Sequence, residues 1–349
     1  MDIKSIRDFA LIGIFSHPLL AANEPLSVYL WEDTLSPQVV DRWQVERNQS
    51  IYQTHFDNDD ERSLLMLNSK SLPFDIVVLD NVTAQIYARH NMFENLSKLE
   101  NRDHNHPRWN QLCGSHAVPY FWGPVGYVYR QDIVDKPPET WTEFMNPEPE
   151  LQGHIGWIKD SVETMLPALY SLGYSPMSDD IDELKQAYKA LDTLAPAILT
   201  FEYALSYIRS NTEKNQLKIA LAYAGDEYSM NRYQQHADWK FKVPSGERFI
   251  WTDCLAVNAH SDNKEQAKAF LSFLMRPDIA AMNARDIRAA TPNKNALKMM
   301  PQSYLNDTNL NPPEHFFEHV NFDQELSVIN IRQRARIIDS IVKTHEATN

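Results

Sequence analysis

The stretch FDIVVLD, residues 74–80, carries an uninterrupted apolar run from Ile76 to Leu79 closed by Asp80. Such a run reads as a parallel strand covered on both faces, because a strand with one wet face would alternate. Upstream, LSVYLW (26–31) is a second β-branched and aromatic run, a helical-period stretch spans Pro37 to Trp43, and a further strand lies around Ser50 to Phe56. Asp60 is placed to cap a helix through Leu64, Leu65 and Leu67. Strand, helix, strand, helix, strand is an α/β order. In open sheets of that kind ligands sit beyond the carboxyl ends of the strands, so Trp31 to Thr34 and Asp80 to Val82 are expected at one crevice.

Downstream, VPYFWGPVGYVYR (118–130) reads as a long strand crossing from a first lobe to a second. A new strand is expected at His154 to Ile158, helices at Ser161 to Leu172 and Asp180 to Leu194, and a buried strand at Leu217 to Tyr223. FIWTDCLAV (249–257) would carry the chain back, ahead of a helix over 263–277 with clear 3.6-residue periodicity. The expected division is a signal peptide at 1–22, lobe one at 23–125 plus 254–297, and lobe two at 126–253 plus 298–349. Two lobes joined by at least two crossings imply a hinge.

With 349 residues the chain exceeds the usual single core, which agrees with two lobes. Nine glycines leave little material for phosphate-cradling loops, and neither GxGxxG nor GxxxxGK[ST] occurs. A net charge of -14 argues against nucleic acid and favours encounters with cations. Lys4 and Arg7 precede an apolar run from Phe9 to Leu20 that ends in Ala21 and Ala22, the pattern of a secretory signal. No other stretch approaches the roughly 18 apolar residues that span a bilayer, so a monomer free in the periplasm is expected. Cys113 and Cys254 are too few for a disulfide scaffold; the even count permits one bridge, and two isolated buried thiols are the expected state.

Aromatic and acidic side chains fall together at several strand ends and crossings: Trp31 with Glu32 and Asp33, Tyr223 near Asp226 and Glu227, and Trp251 with Asp253. Asp160 and Glu163 lie at i and i+3 on one face of a helix start. A linear polyamine demands such a set, because each buried ammonium needs a carboxylate and the methylenes between need flat apolar walls. Paired carboxylates and aromatic walls would also suit a glycosidase, but a hinged crossing pattern fits capture better than turnover, and no enzyme is expected. His104 and His106 lack zinc-like spacing, and Asp57 to Glu61 lacks the central Gly and terminal Glu of a calcium loop, so neither metal nor cofactor is expected. There is no GxSxG.

From about Leu26 to Lys343 the chain resembles the spermidine/putrescine-binding periplasmic proteins of ABC importers. The landmarks are LWEDTLSPQVVDRW (30–43), FDIVVLDN (74–81), VPYFWGPVGYVY (118–129), ETWTEF (139–144), ELQG (150–153), SLGYS (171–175), IWTDCLAV (250–257), NKEQAKAFLSFLMRPDIA (263–280) and ATPN (290–293). The resemblance implies an α/β, two-lobed periplasmic binding protein fold of type II with the ligand cleft between the lobes. It also implies a cradle of Trp31, Asp33, Asp80, Asp160, Glu163, Tyr223, Trp251 and Asp253, with Asp253 gripping the central secondary amine. Tyr223 stands where the family usually has Trp; Val82 and Ala289 stand where aromatic residues are expected, Thr34 replaces another, and a polar end-group contact falls near Asp323 or Gln324. Within the family the chain looks closest to the branch of norspermidine sensors, which address a membrane-bound cyclic-di-GMP enzyme and promote biofilm. The alternative is the binding component of a polyamine importer, whose partner is an ABC permease.

Overall fold

In the computed structural model the described residues are 24–56, 62, 65–66, 72–212, 214 and 216–348. The expected signal segment, the acidic run 57–61 and most of the helix expected after Asp60 lie outside them.

The strands are β1 (Leu26–Trp31), β2 (Ile51–Phe56), β3 (Ile76–Asp80), β4 (Ala117–Arg130), β5 (Ile155–Gly156), β6 (Ile198–Thr200), β7 (Ile219–Tyr223), β8 (Trp239–Lys242), β9 (Arg248–Val257) and β10 (Val320–Phe322). The path runs β2-β1-β3-β9-β4-β7-β5-β6, with β10 on β9 and β8 on β4. β3 is parallel to β1 but antiparallel to β9, so its continuous apolar run reflects cover on both faces and not an all-parallel setting. The strand expected over 154–158 shrinks to Ile155–Gly156, and the helix expected over 161–172 forms only as Leu166–Ser171.

β4 is fourteen residues long. Its first part, Ala117 to Pro124, pairs with β9, and its second, Val125 to Tyr129, pairs with β7, so one strand serves both lobes. Alternation then sorts side chains onto opposite faces of the second sheet. Val125, Tyr127, Ile219 and Leu221 join one core, while Val128, Ala220 and Ala222 join another with Trp239 and Phe241. β8 packs so closely here that a Cβ on Gly126 would lie 2.3 Å from the Lys242 carbonyl oxygen, which is why that position has no side chain.

The first-lobe core gathers β1, β3, the end of β9, and the helices Pro37–Arg47, Lys264–Leu274 and Pro277–Ile287. Met300, Tyr304 and Leu310 belong to it as well. Helix ends follow local chemistry. Ser36 accepts from the Gln38 amide at 3.2 Å ahead of Pro37, and Asp180 accepts from Asp182 at 2.7 Å, starting a helix whose Leu184, Ala187, Leu191 and Leu194 are buried.

The expectation of two isolated thiols is corrected. Cys113, at the end of the helix Pro107–Cys113, is bonded to Cys254 in β9, with Cα atoms 5.6 Å apart. Packing of that helix beneath β9 brings together two residues separated by 141 in sequence, a proximity that counting cysteines does not contain.

Candidate functional site

Trp251 lies in β9 opposite Gly123 of β4 and packs against the main cores of both lobes. A Cβ at Gly123 would stand 3.1 Å from the indole, so the glycine makes the space in which the ring lies. The ring of Tyr223, at the carboxyl end of β7, meets Trp251 edge-on with centroids 5.8 Å apart, and Tyr203 meets Tyr223 at 6.0 Å. Three aromatic side chains thus form a row leading from the interlobe strand into lobe two.

Carboxylates border this row. Asp253 is two residues beyond Trp251 on the same face of β9, 8 % exposed, and is paired in register with Asp80 of β3. The Tyr203 hydroxyl donates to Asp226 at 2.5 Å, and the second Asp226 oxygen accepts the Tyr223 amide at 2.9 Å. Burial pushes the Tyr203 phenol well up, and the charges of Asp226, Asp253 and Asp33 push it further. One phenol thereby senses acids from the first loop, the interlobe strand and lobe two. Burial raises Asp226 to about 6 and Glu227 to about 7. Sequence reading noted both beside Tyr223 without placing them in the site; Tyr203 carried no signal there.

Asp160 and Glu163 lie in the turn after β5. Asp160 accepts from the Val162 amide at 2.7 Å, so it caps that turn. The charges of Asp160, Asp179, Asp323 and Glu163 favour protonation of Arg334, whose pKa burial lowers to about 10. The Asp323 carbonyl accepts from the Asn81 side chain at 3.2 Å, which places Asp323 beside the start of the helix Asn81–Arg89.

The remaining expected residues have local duties. Asp80 accepts from the Thr83 amide at 2.7 Å, capping the helix Asn81–Arg89, and pairs with the fully buried Arg62 at 3.0 Å. Trp31 packs on Phe56 with centroids 4.4 Å apart. Asp33, in the left-handed region at φ 59°, faces lobe two, where the Tyr233 hydroxyl donates to it at 2.9 Å and Arg232 lies 3.6 Å away. Its neighbour Glu32 is ion-paired with Arg209. These partners lie 177 to 200 residues from the first loop, beyond any local pattern.

His104 bonds to Asn295 and His106 caps the helix Pro107–Cys113. Among the described residues no group of three or more His, Cys, Asp and Glu could hold a metal ion, and no helix is long and apolar enough to cross a membrane.

The chain is 53 % identical over 322 residues to the norspermidine sensor of Vibrio cholerae, covering 92 % of this chain and 90 % of that one. It is 26 % identical to the putrescine-binding periplasmic protein SpuD of Pseudomonas aeruginosa, covering 89 % and 90 %. Among solved structures, the substrate-binding protein PotD of a spermidine/putrescine ABC transporter from Streptococcus pneumoniae superposes with a TM-score of 0.75 at 22 % identity, covering 92 % of this chain and 99 % of that one. That likeness shows the fold, an α/β architecture of two lobes. Residues 52–312 match the model of the bacterial extracellular solute-binding proteins, and the chain belongs to that family.

Proposed function

We propose that this protein binds a linear polyamine, norspermidine or spermidine, in the periplasm and reports its capture to a membrane-bound cyclic-di-GMP enzyme that regulates biofilm formation. The observation that carries the ligand is the row Trp251, Tyr223 and Tyr203 bordered by Asp253 and Asp226. Indole and phenol faces suit methylenes and ammonium groups alike, and acids spaced along the row suit a guest with repeated charge. The 53 % identity to a norspermidine sensor supports the signalling role. The second reading, the binding component of a polyamine importer, is favoured by the likeness to SpuD and PotD and shares the same capture step.

In this reading Trp251 and Tyr223 wall the ligand, Asp253 pairs its central amine, and Asp160 and Glu163 serve one end. Asp226 joins that set. Asp80 organises the end of β3, Trp31 supports the first loop, and Asp33 contributes to lobe closure. Residues 1–22 direct export. The lobes comprise 23–125 with 254–297 and 126–253 with 298–349, and the packing of Met300, Tyr304 and Leu310 in the first core supports extending the first lobe to 310. Closure follows from the ligand's preference for the state in which Trp251, packed on the cores of both lobes, and the acids along the row enclose it.

Calorimetric titration with norspermidine, spermidine, putrescine and a maltodextrin tests the ligand class. Polyamines are expected to bind and the sugar not to. Asp253→Ala leaves an ammonium without its partner and should cost about 2 kcal/mol or more, roughly a 30-fold loss of affinity. Wild-type affinity in that variant would remove Asp253 from the site.

A further inference from the structure

Two guanidinium groups reach from lobe two to the first loop of lobe one. Arg209, from the helix Ala204–Ser210, pairs with Glu32, and Arg232, from the helix Asp226–Tyr233, lies 3.6 Å from Asp33. Tyr233 joins them: its hydroxyl donates to the same Asp33 oxygen at 2.9 Å, and the Arg209 guanidinium stands 5.9 Å from its ring centroid. All four charged side chains are about one-third to one-half exposed, so they are not sealed in a core. This cluster adjoins the aromatic row, because Arg209 lies on the helix that follows Tyr203 and Arg232 and Tyr233 lie on the helix begun by Asp226, to which the Tyr203 hydroxyl donates.

We infer that Arg209 and Arg232 are specificity-determining residues that set the register of the ligand, by closing the Glu32–Asp33 end of the slot to ammonium groups. The inference rests on the polyamine reading above. An ammonium that passed Tyr203 toward the first loop would meet two carboxylates already matched one to one by guanidinium groups, and would be repelled by the latter. Arginine stays charged at any physiological pH, so this end does not yield to the ligand by losing a proton. The opposite end is the Asp160–Glu163 turn, where Asp160 accepts the Val162 amide at 2.7 Å. The guest's charges therefore lie between Tyr203 and the Asp160–Glu163 turn, and a longer guest extends toward that turn and not toward Asp33. The expectation that Asp33 grips the ligand is replaced by a role in this closure.

A barrier of this kind differs from a simple interlobe clasp in what its removal does. Loss of a clasp weakens every polyamine alike by disfavouring closure. Loss of the barrier frees Glu32 and Asp33 as an additional subsite, which only a guest with a further amine can use. The test is calorimetry of norspermidine and of the tetraamine spermine against the wild type, Arg209→Met/Arg232→Met, and the same pair with Asp33→Asn added. In the double variant the spermine-to-norspermidine affinity ratio is expected to rise at least tenfold, and Asp33→Asn should cut that gain by leaving Glu32 alone to meet the added amine. In the otherwise wild-type protein, Asp33→Asn should leave the ratio unchanged. An unchanged ratio in the double variant, with both affinities falling together, overturns the inference and leaves a clasp.

Arg209→Lys/Arg232→Lys, which keeps both charges, should retain the wild-type ratio and serves with the wild type if the methionine variant does not fold. A tenfold rise in the lysine variant would also overturn the inference. A wild-type protein that binds neither amine defeats the polyamine reading itself, and the two failures are thereby told apart.

Discussion

Glu227 is 4 % exposed at the start of the helix Asp226–Tyr233, where one of its oxygens accepts the Gly225 amide at 2.9 Å. Burial outweighs that bond and, with the charges of Asp226 and Asp307, raises its pKa from 4.5 to about 7. Between those values the folded chain keeps a proton that the unfolded chain has lost, so this group's contribution to stability falls as pH rises through the window. Glu227→Gln keeps an oxygen for the amide and removes the ionisation. The variant should match the wild type near pH 4.5 and exceed it near pH 8 by roughly 2 to 3 kcal/mol in urea unfolding, one pKa unit being about 1.4 kcal/mol. A difference that does not change with pH would show that Glu227 ionises normally in the fold. Trp251→Ala acts by another route, removing a wall that touches both lobes. It should lower polyamine affinity at least tenfold and reduce the ligand-induced change in tryptophan fluorescence; retention of both would place the guest elsewhere.

At the scale of elements, β9 carries most of what matters: Trp251, Asp253 and Cys254 are consecutive or nearly so on a strand shared by both lobes. That strand was legible because IWTDCLAV is β-branched and apolar, and the helical period from Pro37 and the continuous apolar run from Ile76 to Leu79 likewise announced their elements. The turn from Asp160 to Thr164 was misread as helix because its acids suit a helix start, yet the Thr164 hydroxyl bonds back to the Ile158 carbonyl and the Asp160 amide and holds a turn instead. The bridge from Cys113 to Cys254 was not legible, since composition fixes parity and not distance. It ties the helix Pro107–Cys113 to β9 beside Asp253, closing a loop over 141 positions. Chain-entropy arguments give roughly 3 to 5 kcal/mol for such a closure. Urea unfolding of Cys113→Ala/Cys254→Ala should show a loss of that order with the polyamine affinity reduced only modestly; an unchanged midpoint would mean the bridge is dispensable to the fold.

Across the whole molecule, the lobes meet through contacts that no local pattern contains. Besides Glu32 with Arg209 and Asp33 with Arg232, the Tyr228 hydroxyl donates to Asp307, which also accepts from Arg288 at 3.0 Å. The helix Asp226–Tyr233 therefore starts beside the aromatic row and also bears on lobe one. Its first two residues are the acids raised to about 6 and about 7. A polycation lodged beside them favours their ionised forms, so capture should expel protons wherever the two are still partly protonated. Around pH 6.5, calorimetry in buffers of different ionisation enthalpy should report net proton release, and affinity should climb by about tenfold between pH 5.5 and 8, the equivalent of one pKa unit of differential interaction. Asp226→Asn/Glu227→Gln should flatten that climb. If affinity in the wild type instead stays level across the range with no proton exchanged, the guest lies too far from this helix to feel its charge, and the slot must run along another side of Trp251.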